Sequence, residues 1–366
     1  MSRIVLFGAT GYTGDLTARA MVARGTAPVL AARNHARVRA MAEELGGLEW
    51  AVADVARPES VHALVERGDV LVSTVGPFTR WGGPAVQAAI AAGAHYLDST
   101  GEGGFIREVF ERYGAGAEAA GCGLVTAFGF DWVPGNLAGA LALRDAGEAA
   151  TRLEIGYFSP GAGASSMSGG TRASAAGVAL SPGFGWHGGR LIDERPAKRV
   201  RSFAVKPGRT APAVSVASSE HFALPRIHPT LHEVDVFLGW FGPLSQPMHI
   251  ATAVMEPVLN VRGVRDALQA LFGRFVKGSS GGPDADARAK SRSVVLAEAY
   301  GAGDAPLATV RLEGVNGYDL TAGFLAWGAE TAAAGGLQGS GALGPVDGFG
   351  LDALAAGCAG AGLVRV

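Results

Sequence analysis

The chain has 366 residues, 48% of them hydrophobic and 17% charged, with a formal net charge of −2. That is too apolar for a disordered chain and too neutral for one held to nucleic acid by bulk charge. Glycine, at 56 residues about twice its usual share, has no three-residue period, which excludes collagen.

The first residues, MSRIVLFGATGYTG, hold one basic residue and too short an apolar run for a signal-peptide core. Cys122 and Cys358 make neither a disulfide framework nor a C-x-x-C zinc pair, so a reducing compartment, the cytoplasm, is expected. Over residues 1–135 short apolar runs alternate with helical stretches. Strands are predicted at 3–7, 28–32, 49–53, 69–74, 95–98 and 123–127, with helices at 15–24, 36–45, 59–66 and 85–92 between them. Continuous apolar strands alternating with helices imply a parallel sheet covered on both faces, the doubly wound Rossmann α/β class.

After about Asn136 the rhythm changes, and a second, inserted α+β domain is expected over 136–316. Glycine, serine and proline cluster at 159–170 and 179–189. The stretch 190–209 carries seven arginines or lysines against Asp193 and Glu194 and reads as a solvated loop. Residues 236–255 are uncharged, but Pro243, Gln246, Pro247 and His249 interrupt them, so a buried segment or substrate lining is expected rather than a membrane span. Contact with a membrane surface stays open. Residues 279–286 read as a linker, and 293–300 with 307–314 as a hairpin in an antiparallel second sheet. An apolar helix follows from about Leu320, within a C-terminal segment, 317–366.

Gly8-Ala9-Thr10-Gly11-Tyr12-Thr13-Gly14 is G-x-x-G-x-x-G. In so glycine-rich a chain the spacing alone carries little; its placement between the first strand and the first helix carries the argument. Gly8 makes the tight turn, Gly11 lets backbone N–H groups approach a diphosphate, and Gly14 lets helix and strand pack closely. The second strand ends Ala31-Ala32-Arg33-Asn34, with Arg37 one turn on and no carboxylate before Glu43. Guanidinium and amide there favour a 2′-phosphate, hence NADP(H) over NAD. Asp54, closing the third strand, is placed near the adenine or in a turn.

Ligands of such sheets bind beyond the carboxyl ends of the strands. The fourth strand leads into Val75-Gly76-Pro77-Phe78 and on to Trp81, an apolar wall for a nicotinamide and substrate. Asp98 and Glu102 follow the fifth strand; Phe130 and Asp131 follow the sixth. The three carboxyls are expected to share one cleft, where a raised pKa would allow proton delivery beside hydride transfer; each alone is also an ordinary cap or anchor. Gly170, Thr171 and Arg172 open a further helix whose N–H groups and guanidinium suit a substrate carboxylate or carbonyl. No tyrosine is followed by lysine four residues on, which excludes a Tyr-x-x-x-Lys acid, and no metal ligand set is evident.

Together GATGYTG at Gly8, AARN at Ala31, the run from Thr74 to Glu102, GFDWVPGNL at Gly129, SGGTRASA at Ser168 and GYDLTAGFLA at Gly317 resemble the saccharopine dehydrogenase-like oxidoreductases. This group holds saccharopine reductase and the trans-acting enoyl reductases. The resemblance implies an NADP(H)-dependent oxidoreductase and a homodimer built on the inserted domain. It also implies a chain end that packs back on the Rossmann domain. The middle of the chain lacks a recognisable amino-acid site, so an apolar small-molecule substrate with a polarised C=C, enoyl or polyketide-like, is expected ahead of a C=N substrate. A non-catalytic NADP-binding redox sensor is the alternative from another class, and a membrane-surface protein a third.

Overall fold

The computed structural model describes residues 2–161, 182–259 and 281–366. β1 (Ile4–Phe7), α1 (Tyr12–Ala23), β2 (Val29–Ala32), α2 (His35–Glu44), β3 (Trp50–Val52), α3 (Pro58–His62) and β4 (Val70–Ser73) open the chain. Next come α4 (Phe78–Trp81), α5 (Gly83–Ala92), β5 (His95–Asp98), α6 (Gly103–Glu108), α7 (Gly114–Ala120) and β6 (Gly123–Val125). These strands form a parallel sheet in the order β6-β5-β4-β1-β2-β3, with Val5 beside Val29 and Leu6 beside Val72. Val5, Leu6, Leu71 and Val72 are fully buried because helices cover both faces, and each such side chain contributes about 1.5–3 kcal/mol. The order reverses between β1 and β4, the switch point at which doubly wound sheets bind ligands.

α8 (Val133–Ala146) leads to a second sheet: β7 (Arg152–Phe158), β8 (Gly183–His187), β9 (Arg190–Glu194), β10 (Val200–Lys206) and β11 (Arg209–Ser215). α9 (Glu220–Ile227), β12 (Glu233–Leu238), α10 (Ser245–Leu259), α11 (Ala285–Lys290), β13 (Ser293–Tyr300) and β14 (Pro306–Gly314) follow. The predicted hairpin is β13 and β14, with Ala297 opposite Val310. The sheet is mixed rather than antiparallel, because β12 returns parallel to β7, Val236 beside Ile155. The long excursion through β8–β11 and α9 supplies the crossover that a parallel pair needs.

The basic stretch is not a solvated loop. It forms β9, β10 and the start of β11, with Phe203 buried and its arginines drawn to carboxylates. Arg199 holds Glu194 through two N–H groups at 2.9 and 2.7 Å and Asp235 at 2.8 Å. Arg201 pairs with Glu154 and Glu298. Charge density alone misled, since apart from Glu194 the acids that neutralise it come from strands distant in sequence.

Residues 236–255 end β12, turn, and start α10; among the described residues no helix is long and apolar enough to cross a membrane. Of the stretch read as a linker, residues 279 and 280 lie outside the described residues and 281–284 have no regular structure; Asp284 then caps α11 by accepting the Ala287 N–H at 2.8 Å. The chain then returns. α12 (Gly317–Ala333) packs along α1, and β15 (Gly341–Ala342) extends the first sheet beside β6. α13 (Pro345–Phe349) and α14 (Leu351–Gly360) follow, and β16 (Leu363–Arg365) joins β14 at the edge of the second sheet.

Candidate active site

Gly8 ends β1 at φ +91°, and a Cβ there would stand 2.7 Å from Thr74 Oγ1 and 2.9 Å from Val75 Cγ2. A Cβ on Gly14 would run into the Gly8 carbonyl oxygen and stand 2.9 Å from Ala9 Cα. Both positions must be bare for β1, α1 and β4 to close on one another. Gly11 begins α1 in extended backbone and supplies no side-chain cap. The first-turn N–H groups of Tyr12, Thr13 and Gly14 therefore face outward with the positive end of the helix dipole. Asn34, Asp284 and Asn316 cap their helices with side-chain oxygens, whereas most of the other described helices, like α1, start without such a cap. The bare start at the switch point fits a diphosphate.

Arg33, Asn34 and Arg37 are exposed just past β2. Asn34 accepts the Arg37 N–H at 3.0 Å, and Arg37 donates to the Thr10 carbonyl at 3.4 Å. Among the described residues neither arginine has a carboxylate partner, so the pair fits a 2′-phosphate. Asp54 accepts the Ala56 N–H at 3.0 Å and so closes its own turn.

Other expected contacts are placed differently. The Tyr12 ring meets Tyr318 edge-on at 5.1 Å and its hydroxyl donates to the Pro283 carbonyl at 2.5 Å, leaving its backbone N–H for a ligand. Val75, Gly76 and Pro77 are half-buried, whereas Phe78 turns inward against Phe105, 5.6 Å between centroids. Trp81 lies under the Arg80 guanidinium and outside the central cavity. Gly170, Thr171 and Arg172 fall outside the described residues.

That cavity, about 710 Å³, opens beyond the first sheet. Thr13 and Ser99 line it from the dinucleotide side, Phe130 and Asp131 from the loop after β6, and Trp240, Phe241 and Pro243 from the segment after β12. Arg288, Arg292, Tyr318 and Thr321 complete it. Only one of the three carboxyls lines the cavity. Asp98 is fully buried and accepts N–H groups from Thr100 at 2.8 Å and Ala127 at 2.9 Å and the Thr126 hydroxyl at 2.7 Å; burial outweighs these bonds and raises it to about 6. Glu102 accepts the Phe78 and Thr79 N–H groups and the Thr79 hydroxyl, and so holds the loop after β4. Each anchors one strand-end loop to the next, a use that residue type alone could not separate from acid–base chemistry. Asp131 forms part of the cavity wall, its Oδ1 enclosed and without a partner among the described residues, and burial raises it to about 7.

Sequence reasoning missed Glu220 and Tyr157. Glu220 is fully buried and takes the Tyr157 hydroxyl at 2.7 Å; burial raises it to about 8, with the Asp131 charge adding to the effect. No motif signals it, because its partner lies in another strand. Asp98, Asp131 and Glu220 all hold protons in the folded chain above the usual carboxyl range near 4. Their contribution to stability is complete below about pH 4 and is lost as pH rises through about 6, 7 and 8. The melting temperature should therefore fall between pH 5 and pH 9, and Glu220→Gln should flatten that fall. A melting temperature independent of pH over this range would contradict the three buried protons.

The fold and this site define a protein with a dinucleotide-type glycine turn at the switch point and a large cavity beyond the strand ends beside it. Residues 4–123, which carry β1 to β5 and the helices between them, match the family model of the saccharopine dehydrogenase NADP binding domain. Over 140 residues the chain is 44% identical to a putative trans-acting enoyl reductase of Mycobacterium tuberculosis and 41% identical to a trans-acting enoyl reductase of Mycobacterium ulcerans. Each match covers 37% of this chain, and only 33% and 34% of those relatives. The fold matches apo saccharopine dehydrogenase (L-Glu forming) of Saccharomyces cerevisiae over 100% of this chain and 99% of that one, with a TM-score of 0.60 and 12% identity.

Proposed function

We propose that the protein is an NADPH-dependent reductase that saturates a polarised C=C bond of an apolar, enoyl-type small molecule. The carrying observation is Asp131, a carboxyl that burial raises to about 7, in the wall of a large cavity that also reaches Thr13 and Ser99 on the dinucleotide side. The relatives' names point the same way over the first domain.

Bound NADPH supplies the hydride and its electron pair. Gly8, Thr10, Gly11, Thr13, Gly14 and the Tyr12 backbone would hold the diphosphate, and Arg33, Asn34 and Arg37 the 2′-phosphate. Asp54 would stand on the adenine side as a turn residue, and Val75, Gly76 and Pro77 would flank the nicotinamide. Asp131 gives its proton to the substrate carbon that becomes electron-rich; one O–H bond breaks, one C–H bond forms, and a carboxylate is left. Asp98 and Glu102 position the loops that carry this site, and Trp240, Phe241 and Phe130 exclude water from it.

Arg292 at the same cavity, without a carboxylate partner among the described residues, favours a second reading, reduction of a carboxylated imine, whereas Arg288 is held by Asp319 at 2.8 Å. NADPH oxidation, followed by absorbance with 2-enoyl thioesters and with cyclic imine carboxylates, separates the two. Tight NADPH binding with no oxidation by either class would favour the redox sensor. Arg33→Asp should weaken NADPH binding about 10- to 100-fold and leave NADH nearly unchanged. Equal loss for both nucleotides would remove the 2′-phosphate assignment.

We infer in addition a cytoplasmic homodimer whose inserted domain, 136–316, holds the substrate and the partner. Exposed Leu244, Ile250, Val254 and Met255 on and beside α10 support lipid or membrane-surface contact.

A further inference from the structure

The first turn of α12 stands between the nucleotide turn and the loop of the cavity acid, and it grips both. Asn316 caps it, accepting the Tyr318 and Asp319 N–H groups at 3.0 Å each and donating to Asp319 Oδ2 at 2.6 Å. On one side the Thr321 hydroxyl takes the Phe130 N–H at 2.9 Å, and a Cβ on Gly317 would stand 2.9 Å from the Phe130 ring. On the other side Tyr318 meets the Tyr12 ring, and Asp319 Oδ1 accepts the Arg288 Nε–H at 2.8 Å.

Arg288 carries the grip on to the nucleotide turn. Its Nη1 donates to the Tyr12 hydroxyl at 3.2 Å and to the Pro283 carbonyl at 3.1 Å. The Tyr12 hydroxyl donates to the same carbonyl, and a Cβ on Gly282 would stand 2.6 Å from three atoms of the Tyr12 ring. Tyr12 is the first residue of α1, whereas Pro283, Arg288, Asn316 and Tyr318 all line the cavity. The Arg288 side chain is 17% exposed and that of Asp319 43%, so this ion pair adds little to stability by itself. What it fixes is direction. Backbone donors bind an anion well only when they are held within about 0.5 Å of the productive geometry.

We propose that Arg288 is a positioning residue for the nucleotide: braced by Asp319 in the cavity wall, it holds the Tyr12 phenol and so aims the first-turn N–H groups of α1 at the diphosphate. The proposal rests on the nucleotide seat at α1, and not on the reaction that follows. The diphosphate is common to NADPH and NADH, so Arg288 acts on both alike, unlike Arg33 at the 2′-phosphate.

Calorimetric titration of the full chain with NADPH and with NADH, beside amide hydrogen exchange of the chain without nucleotide, tests this. Arg288→Met keeps an unbranched stem and removes the contacts to Asp319, Tyr12 and Pro283. It should weaken both nucleotides about 10-fold. It should also speed exchange of the Asp15 N–H, which the Gly11 carbonyl accepts at 2.8 Å, while Leu6 and Val72 in the sheet keep their native rates. Loss of overall stability would move all three. Arg288→Lys, which keeps a charged donor, should recover part of each effect. Tyr12→Phe should resemble Arg288→Met, and the double variant should lose no more than the worse single one, because one tie is cut twice. Arg24→Met cuts a different tie between α1 and α12, the bond to Glu330 at the far end of α1, and should leave nucleotide affinity native.

Native affinity in Arg288→Met, or losses that add in the double variant, overturns the proposal. A loss confined to NADPH overturns it too, since Arg288 would then act at the 2′-phosphate. A native chain that binds neither nucleotide removes the seat and the proposal together, whereas native binding left unchanged in the variant removes the proposal alone.

Discussion

Asp131→Asn should reduce kcat for NADPH oxidation about 10²- to 10⁴-fold while NADPH affinity stays within about twofold. The asparagine keeps the shape of the side chain but has no acidic proton to give. In the native protein the acid form prevails below about pH 7, so kcat should decline as pH rises through that value. The variant's residual rate should be flat over the same range, since the group that titrates is gone. Stopped-flow absorbance at several pH values reads both effects. A variant that keeps the native rate and pH profile would move the proton donor elsewhere in the cavity.

The second large effect belongs to the nucleotide turn. Gly14→Ala would drive a methyl group into the Gly8 carbonyl and against Ala9, so α1 must withdraw from β1. Overpacking of this kind costs about 1–3 kcal/mol, and the displaced helix start no longer presents its N–H groups to the diphosphate. NADPH affinity should fall at least about 100-fold, with a melting temperature lower by several degrees. Gly360→Ala, whose Cβ would meet nothing within 4 Å, should change neither. Calorimetric titration and thermal melts distinguish the pair. Equal behaviour of the two variants would refute close packing at the glycine turn.

The Rossmann half was legible because its determinants are local. RIVLF, PVLAA and DVLVST are apolar runs of strand length, the first followed and the last preceded by glycine, and the structure places β1, β2 and β4 within them. The nucleotide motif could be judged by its neighbours in the chain. Residues 190–209 were misread because, besides Glu194 within the stretch, the partners that neutralise it, Glu154, Asp235 and Glu298, stand on strands that only the fold brings near. Asp98, Glu102 and Asp131 look alike as carboxyls after strands. What separates them is whether backbone N–H groups fill their lone pairs, and that depends on loops from other strands. Glu220 gave no signal at all, since burial of a lone glutamate follows from Tyr157 and Gly135 being opposite it.

The two short strands near the chain's end have a protective consequence. β15 covers the open side of β6 and β16 covers that of β14, so one stretch of backbone blunts an exposed rim of each sheet. A single proteolytic nick between residues 334 and 340 would loosen both covers together. Two unpaired ladders of N–H and C=O groups would then be open to other chains, and aggregation rather than orderly unfolding should follow the cut.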